Sequence, residues 1–311
     1  MRKELHQLFD EYIYEAEFVK KLQPETLRAY NNIFSLFIKL LPQVSLETLT
    51  PKIITDFFKI LQERKRLIGK GIPKTGIKKS TIATYWSKLN TFFDWLLSRR
   101  YIKANPFSEL AYPSPSYEDK KFLKKEEIEK IITAIQTHHD NNLFLLKRNL
   151  VLFYLLLFCG LRREELILLQ IRDIDLQRKV LTIRADNSKT GRSRLLPLHS
   201  TTIMHLTDYL NARKRYTTPY LFASSIKDEG LTLNGLKHWV DKFKDCSGVA
   251  FHLHQFRHTF AVNFLNTSNN IAKLKQLMGH KNISMTISYL RCLPVDAMRG
   301  DIENMDIDKM I

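Results

Sequence analysis

The stretch NPFSELAYPSPSYEDKKF, residues 105–122, sets the first constraint on this chain. It holds three prolines, each of which fixes φ and removes a backbone donor, and its serines and charges suit water. No continuous helix or sheet core can run through it. A chain of 311 residues interrupted there reads as two domains rather than one. The expected boundaries are a first domain over 1–110, a linker over 111–121, a second domain over 122–293 and a tail over 294–311.

Before the break the pattern is helical. ELHQLFDEYIYEAEFV and TLRAYNNIFSLFIKLL carry apolar residues at three- and four-residue spacings. Thr50-Pro51 opens a third segment, PKIITDFFKILQERKRLI, with proline suited to the first helical turn. KKSTIATYWSKLNTFFDWLLSRRYI is a fourth. Between the last two, GKGIPKTG reads as a basic loop. Gly76 is followed by Ile77-Lys78-Lys79 rather than Lys-Ser/Thr, which rules out a Walker phosphate loop. Four helices and no strand are expected in this domain.

After the break, KKEEIEKIITAI begins a second helical region. LVLFYLLLFCGL (150–161) is too short to span a bilayer, is broken by Cys and Gly and runs into RREE, so it reads as a buried helix. One β region stands out, DIDLQRKVLTIRADNSKTGRSRLLPLH (173–199). There KVLTIRA and RSRLLPL flank the turn-forming DNSKTG, giving a small antiparallel sheet of about three strands. The fold class is therefore mainly α with a small antiparallel β-sheet.

Charge narrows the partner. The formal net charge is +17, and its placement is uneven. Residues 1–50 hold six Lys/Arg against seven Asp/Glu, whereas residues 51–103 hold thirteen against three. A run of charge is ordinarily a solvated face, but a local excess of ten favours a polyanion, because each neutralised phosphate releases counterions. On the fourth helix Ile82, Trp86, Leu89, Phe92, Phe93 and Leu96 form an apolar stripe. Ser80, Thr84 and Lys88 lie off it, and with Lys78 and Lys79 they make a polar, basic face able to lie against DNA. The three cysteines, Cys159, Cys246 and Cys292, are too few and too scattered for a disulfide framework. A reducing cytoplasmic compartment is expected, with no secretory signal and no membrane partner.

Four separated places carry candidate chemistry. CGLRREEL puts Arg162 and Glu165 three apart on one helical face. Lys189 sits in the hairpin turn. HLHQFRHTFAVNFL offers His254 and Arg257, again three apart, and LMGHKNISMTISYL offers His280 and Tyr289. Singly, each has an ordinary explanation as a surface ion pair, a solvated lysine or a packed aromatic. His254 and His258 are four apart, but no glutamate completes an HExxH pattern and no further ligand cluster stands nearby, so no metal site is expected. At 100° per residue, Ile283, Ile287 and Leu290 would form a buried stripe with Tyr289 well off it, facing away from the core.

Taken together and in order, these segments resemble the tyrosine recombinases (phage-type integrases), and among them the compact Xer-like members. The catalytic segments read here as Gly160-Leu161-Arg162-Arg163-Glu164-Glu165-Leu166, Lys189 before RSRLLPL, His254-Gln255-Phe256-Arg257-His258, and Leu277-Met278-Gly279-His280 followed by Tyr289. Glu164 stands where the family usually has serine, and Phe256 where leucine is commoner. The resemblance implies a helical core-binding domain and an α+β catalytic domain that clamp duplex DNA as a C. It implies no cofactor. Tyr289 would attack a phosphodiester to give a 3′-phosphotyrosyl bond, with Arg162 and Arg257 neutralising the phosphate and Glu165 supporting the arginine. His254 would take the phenol proton, His280 would hydrogen-bond the phosphate, and Lys189 would protonate the leaving 5′-oxygen. A tetramer would join two copies of a specific recombination site through a Holliday junction, in chromosome dimer resolution or in integration and excision of a mobile element. A partner recombinase or accessory protein is left open, and the tail over 294–311 could dock on a neighbouring protomer. Relaxation of DNA in the manner of a type IB topoisomerase, or non-catalytic DNA binding, are the rival readings. The dedicated helical domain argues against the first and the complete residue set against the second.

Overall fold

The computed structural model describes residues 4–69, 71–113, 121–139, 141–188 and 190–293. Lys189, the central part of the expected linker (114–120) and the tail over 294–311 lie outside the described residues. The chain divides into two compact units, Met1–Glu118 and Asp119–Ile311.

The first unit is built on α1 (Leu5–Phe18), α2 (Pro24–Leu40), α3 (Pro51–Glu63) and α4 (Lys79–Ser98). Thr50 caps α3 with its side-chain oxygen and Pro51 takes the first position, as the sequence suggested. The core is aromatic: Phe9 stacks on Phe34 with centroids 3.8 Å apart, and Phe92 meets Phe9 edge-on at 5.2 Å. Trp86, Leu89, Phe92, Phe93 and Leu96 are buried, and Ile82 is half-buried. The chain beyond α4 is still part of this core. Asn105 is buried and its amide donates to Asn90 and Asp94, while Phe107 packs beside Trp86.

The expectation of no strand in this unit fails at GKGIPKTG. A hairpin stands there instead, β1 (Lys65–Ile68) paired antiparallel with β2 (Ile72–Thr75). Gly69 and Gly71, at φ +53° and +84°, supply the turn. Leu67 and Ile72 are 75% and 61% exposed. With these apolar side chains out in water, no buried apolar face imposes the period-two pattern by which a strand is read from sequence among the described residues.

The second unit comprises α5 (Lys125–Thr137), α6 (Leu143–Cys159), α7 (Arg163–Ile167), β3 (Ile174–Asp175), β4 (Val180–Ile183), β5 (Arg194–Pro197), α8 (Ser200–Ala212), α9 (Leu233–Ser247), α10 (Leu253–Ser268), α11 (Ile271–Met278) and α12 (Ser284–Ile287). α6 is the buried helix, with Val151, Leu152, Phe153, Leu155 and Leu156 enclosed, and it packs against α8 and α10. Among the described residues no helix is long and apolar enough to cross a membrane. The sheet runs β3-β4-β5, antiparallel, with Leu181 opposite Leu196 and Ile183 opposite Arg194. Leu181, Ile183 and Leu196 are buried. Since alternate residues share a face, Arg194 projects to the same buried side.

A second expectation fails near the C-terminal end of this unit. Tyr289 is buried, 2% exposed, against Ala261, Val262, Leu265, Leu274 and Met278, whereas Ile283, Ile287 and Leu290 are exposed. A progression of 100° per residue holds only along one regular helix. α12 is a single turn, and a 3₁₀ turn over Leu290–Cys292 follows it. Burial here follows an i, i+3 pair, Thr286 and Tyr289, which a tightened helix places on one side.

Candidate active site

The C-terminal end of α11 organises the site. A helix end leaves its last carbonyls without intrahelical partners. Gly279 closes α11 in the left-handed region at φ +61°. Three arginines from three other elements then take the exposed carbonyls. Arg194 donates Nε to Leu277 O at 2.8 Å, Arg257 donates Nη2 to Met278 O at 2.6 Å, and Arg162 donates Nη2 to Gly279 O at 3.4 Å. The negative end of the helix dipole favours cations there. A β-carbon on residue 279 would lie 3.1 Å from Arg194 Nη1, so the tight turn also leaves room for that side chain.

Three guanidiniums so close together need an anion, and Glu165 supplies it. Its two oxygens accept four hydrogen bonds. Arg194 offers a fork at 2.9 and 2.8 Å, and Arg162 offers its backbone N–H at 2.9 Å and Nη1 at 2.8 Å. Arg162 is the N-cap of α7 and Glu165 its third residue, which explains why the RREE spacing brings them together. Burial alone would push the Glu165 carboxyl up, but the Arg194 fork, then the N–H and charge of Arg162, outweigh it and hold the group down at about 2. Glu164 is exposed and pairs with Arg163, so Glu165 is the carboxylate beneath the arginines.

Arg257, on α10, is almost wholly enclosed and also donates to Gly160 O at the end of α6. Burial first, and the nearby Arg162 charge next, push its guanidinium down to about 9, which still leaves it charged at neutral pH. Its Nη2 lies 3.1 Å from His280 Nε2, and His280 Nδ1 lies 2.9 Å from Thr286 Oγ1. A guanidinium cannot accept, so Nε2 carries the lone pair and Nδ1–H donates to Thr286. To donate to a phosphate, His280 must exchange that lone pair for a proton.

Tyr289 completes the network. Its Oη lies 3.0 Å from His258 Nδ1, and its ring is parallel to that of His280 with centroids 6.5 Å apart. Burial pushes the phenol up to about 12, with Cys292 adding to this and Arg257 and Arg162 opposing it. His254 is exposed and stands edge-on to His258 at 4.4 Å between centroids. Arg162, Glu165, Arg257, His280 and Tyr289 thus form one connected cluster, with His254 linked to it through His258. Two of its members had escaped the sequence reading. His258 closes the segment His254-Gln255-Phe256-Arg257-His258, where the resemblance gives it no role of its own. Arg194 carried a usable signal, because in RSRLLPL it occupies the inward register of Leu196, where an unpaired charge is untenable. Among the described residues no group of three or more His, Cys, Asp or Glu side chains is placed to hold a metal ion.

Of the expected DNA-facing residues, Lys78 is the N-cap of α4, and Lys78, Lys79, Ser80 and Thr84 are exposed. Lys88 is half-buried, with Nζ 4.0 Å above the Tyr30 ring.

Residues 121–294 match the profile described as the phage integrase family, and residues 4–113 match the phage integrase SAM-like domain. The chain belongs to the phage integrase family. It is accordingly a tyrosine recombinase, an enzyme that cleaves and rejoins DNA strands. Among its relatives, tyrosine recombinase XerC of Vibrio vulnificus is 28% identical over 230 residues, covering 72% of this chain and 70% of that protein. A tyrosine recombinase of Pseudothermotoga lettingae is 27% identical over 302 residues, 96% of each. The fold is shared with the Tn1549 transposon integrase bound to transposon right end DNA, at TM-score 0.75 and 18% identity over 97% of this chain and 99% of that one. It is shared likewise with XerH recombinase bound to its palindromic difH substrate, at TM-score 0.74 and 18% identity over 94% and 83%.

Proposed function

We propose that the chain is a site-specific recombinase that uses Tyr289 as its nucleophile. The observation that carries this reading is the phenol held 3.0 Å from a histidine nitrogen and within the charge field of Arg257 and Arg162. A phosphodiester under attack gains charge on its equatorial oxygens, and forked guanidiniums match that geometry and remain charged. Arg162 and Arg257 take this role, with Glu165 and Arg194 fixing Arg162 in place.

The reaction balances without an external energy source. Tyr289 Oη–H gives its proton to a histidine while its oxygen bonds the phosphorus. The bond from phosphorus to the 5′-oxygen breaks, and Lys189 protonates that oxygen as general acid. A 5′-hydroxyl from another strand reverses each step and returns the proton to Tyr289. His254 is the base suggested by resemblance, whereas His258 Nδ1 lies within hydrogen-bond distance of the phenol. We assign the proton to His258 Nδ1, with His254 beside it. Replacing His258 by Asn keeps a polar atom near Nδ1, whereas Phe keeps only the ring. Single-turnover cleavage should fall about 100-fold or more in both His258→Phe and His258→Asn, because neither side chain can take up a proton at neutral pH. Substantial recovery in His258→Asn would mean that the ring only positions the phenol, and would count against this assignment.

Recombination itself follows from four protomers joining two duplex sites through a Holliday junction. Three features support DNA as the partner: the basic excess in residues 51–103, the exposed Lys78, Lys79, Ser80 and Thr84, and the DNA named with the solved relatives. The test is incubation of the full chain with a library of nicked suicide duplexes. The expected product is a denaturant-resistant adduct whose peptide map carries the nucleotide on residue 289. Tight binding with no adduct on any duplex would overturn catalysis. Strand exchange between two labelled duplexes separates recombination from relaxation of a single one.

A further inference from the structure

The β1–β2 hairpin belongs to neither the catalytic cluster nor the hydrophobic core of its unit. It stands between the end of α3 and the start of α4, and every described β2 side chain is exposed. A lone two-stranded ribbon of four residues per strand is marginally stable at best in water. The segment is also the most one-sided in charge of the whole chain. Between Glu63 and Asp94 there is no acidic residue, while Arg64, Lys65, Arg66, Lys70, Lys74, Lys78, Lys79 and Lys88 all fall there. A polyanion is the occupant that composition selects.

Register decides which kind of polyanionic surface. Lys65 pairs with Thr75 and Arg66 with Lys74, so Lys65 lies on one face of the ribbon and Lys74 with Arg66 on the other. Arg66 ties Nε to Gly76 O at 3.0 Å, which anchors the base of the ribbon. A flat acidic surface could meet only one face. A duplex groove has a phosphate wall on each side, and a two-stranded ribbon fits the wider one. The turn reads Gly69-Lys70-Gly71 in sequence, so it adds a further positive charge to the ribbon. Lys78 and Lys79 continue the positive surface to the start of α4, where no side chain caps the helix.

We infer that the hairpin enters a groove of duplex DNA tip-first, Lys65 gripping one backbone and Lys74 the other, as a second DNA-contacting element beside α4. This rests on the recombinase reading for its partner. It is tested by measuring affinity for a random-sequence duplex across a range of salt, with wild-type full chain and with the double substitution Lys65→Gln, Lys74→Gln. Both lysines are exposed, so the fold should not suffer. Each phosphate contact contributes about 0.9 to the slope of log affinity against log salt, so the double variant should lose about 2 from it, and each single variant about 1. Hydroxyl-radical protection should weaken on both strands across one groove. An unchanged slope, or loss of protection on one strand only, would overturn the groove insertion while wild-type binding and adduct formation leave the recombinase intact. Loss of salt-dependent self-association in place of any change on DNA would instead assign the hairpin to a second copy of the chain. A wild-type protein that neither binds nor cleaves any duplex would remove both readings together.

Discussion

Tyr289→Phe should form no covalent adduct with any duplex while folding almost as the wild type does. The phenyl ring keeps the packing of a side chain that is 2% exposed against α10 and α11. The lost hydroxyl gives up its hydrogen bond to His258, worth about 1 kcal/mol in stability. The chemical loss is of another order. Removing a nucleophile that forms a covalent intermediate costs about 10⁴-fold or more in rate, with only the charge field of the site remaining. Thermal unfolding, duplex binding and adduct yield measured on the same preparation separate the two effects. A variant that still forms an adduct would place the nucleophile elsewhere. A variant that loses its cooperative unfolding would mean that the hydroxyl serves the fold rather than the reaction. Because the phenol is enclosed in this state, productive binding must also bring the phosphate and Tyr289 Oη together. The segment around residues 284–293, built of a single α-turn and a 3₁₀ turn, is where that adjustment is cheapest.

The contrast between Tyr289 and Arg162 shows what could be read from the sequence. Arg162 and Glu165 were legible because a local rule, an i, i+3 pair opening a helix, coincides with the tertiary arrangement. The buried α6 and the three-stranded sheet were legible because each buries a face, and burial writes a period into the sequence. The order of the segments picks out Tyr289 in the sequence, but its burial cannot be read there. Its single α-turn and following 3₁₀ turn break the 100° progression on which the angle argument depended. The β1–β2 hairpin differs for the opposite reason: with Leu67 and every β2 side chain in water, its register leaves no hydrophobic trace. Arg194 and His258 depend on partners 29 and 31 residues away, and no local pattern could have named those partners.

Glu165→Gln should be among the most destabilising single changes in the second unit. The carboxylate accepts four hydrogen bonds, all from Arg162 and Arg194. An amide offers one acceptor oxygen and turns two N–H groups towards donors that have nowhere else to go. The charge is lost as well, leaving Arg162, Arg194 and Arg257 clustered without their anion. Breaking a buried pair by removing one partner costs about 3–5 kcal/mol, which for a unit of this size lowers Tm by roughly 10 °C. The pH dependence has the matching sign. The folded carboxyl sits at about 2, below its ordinary value of about 4.3. Its contribution is therefore fully present above about pH 4.3 and is lost as pH falls towards 2, whereas Glu165→Gln should lack that acid-sensitive component. A double-mutant cycle with Arg194→Met decides whether the effect is electrostatic. If the unpaired Arg194 is the cause, Glu165→Gln with Arg194→Met should recover part of the lost stability. Simple addition of the two losses would instead mean that Glu165 acts through Arg162 alone. Cleavage should not recover in the double variant even where stability does, because Arg162 still lacks the anion that fixes its fork towards the phosphate.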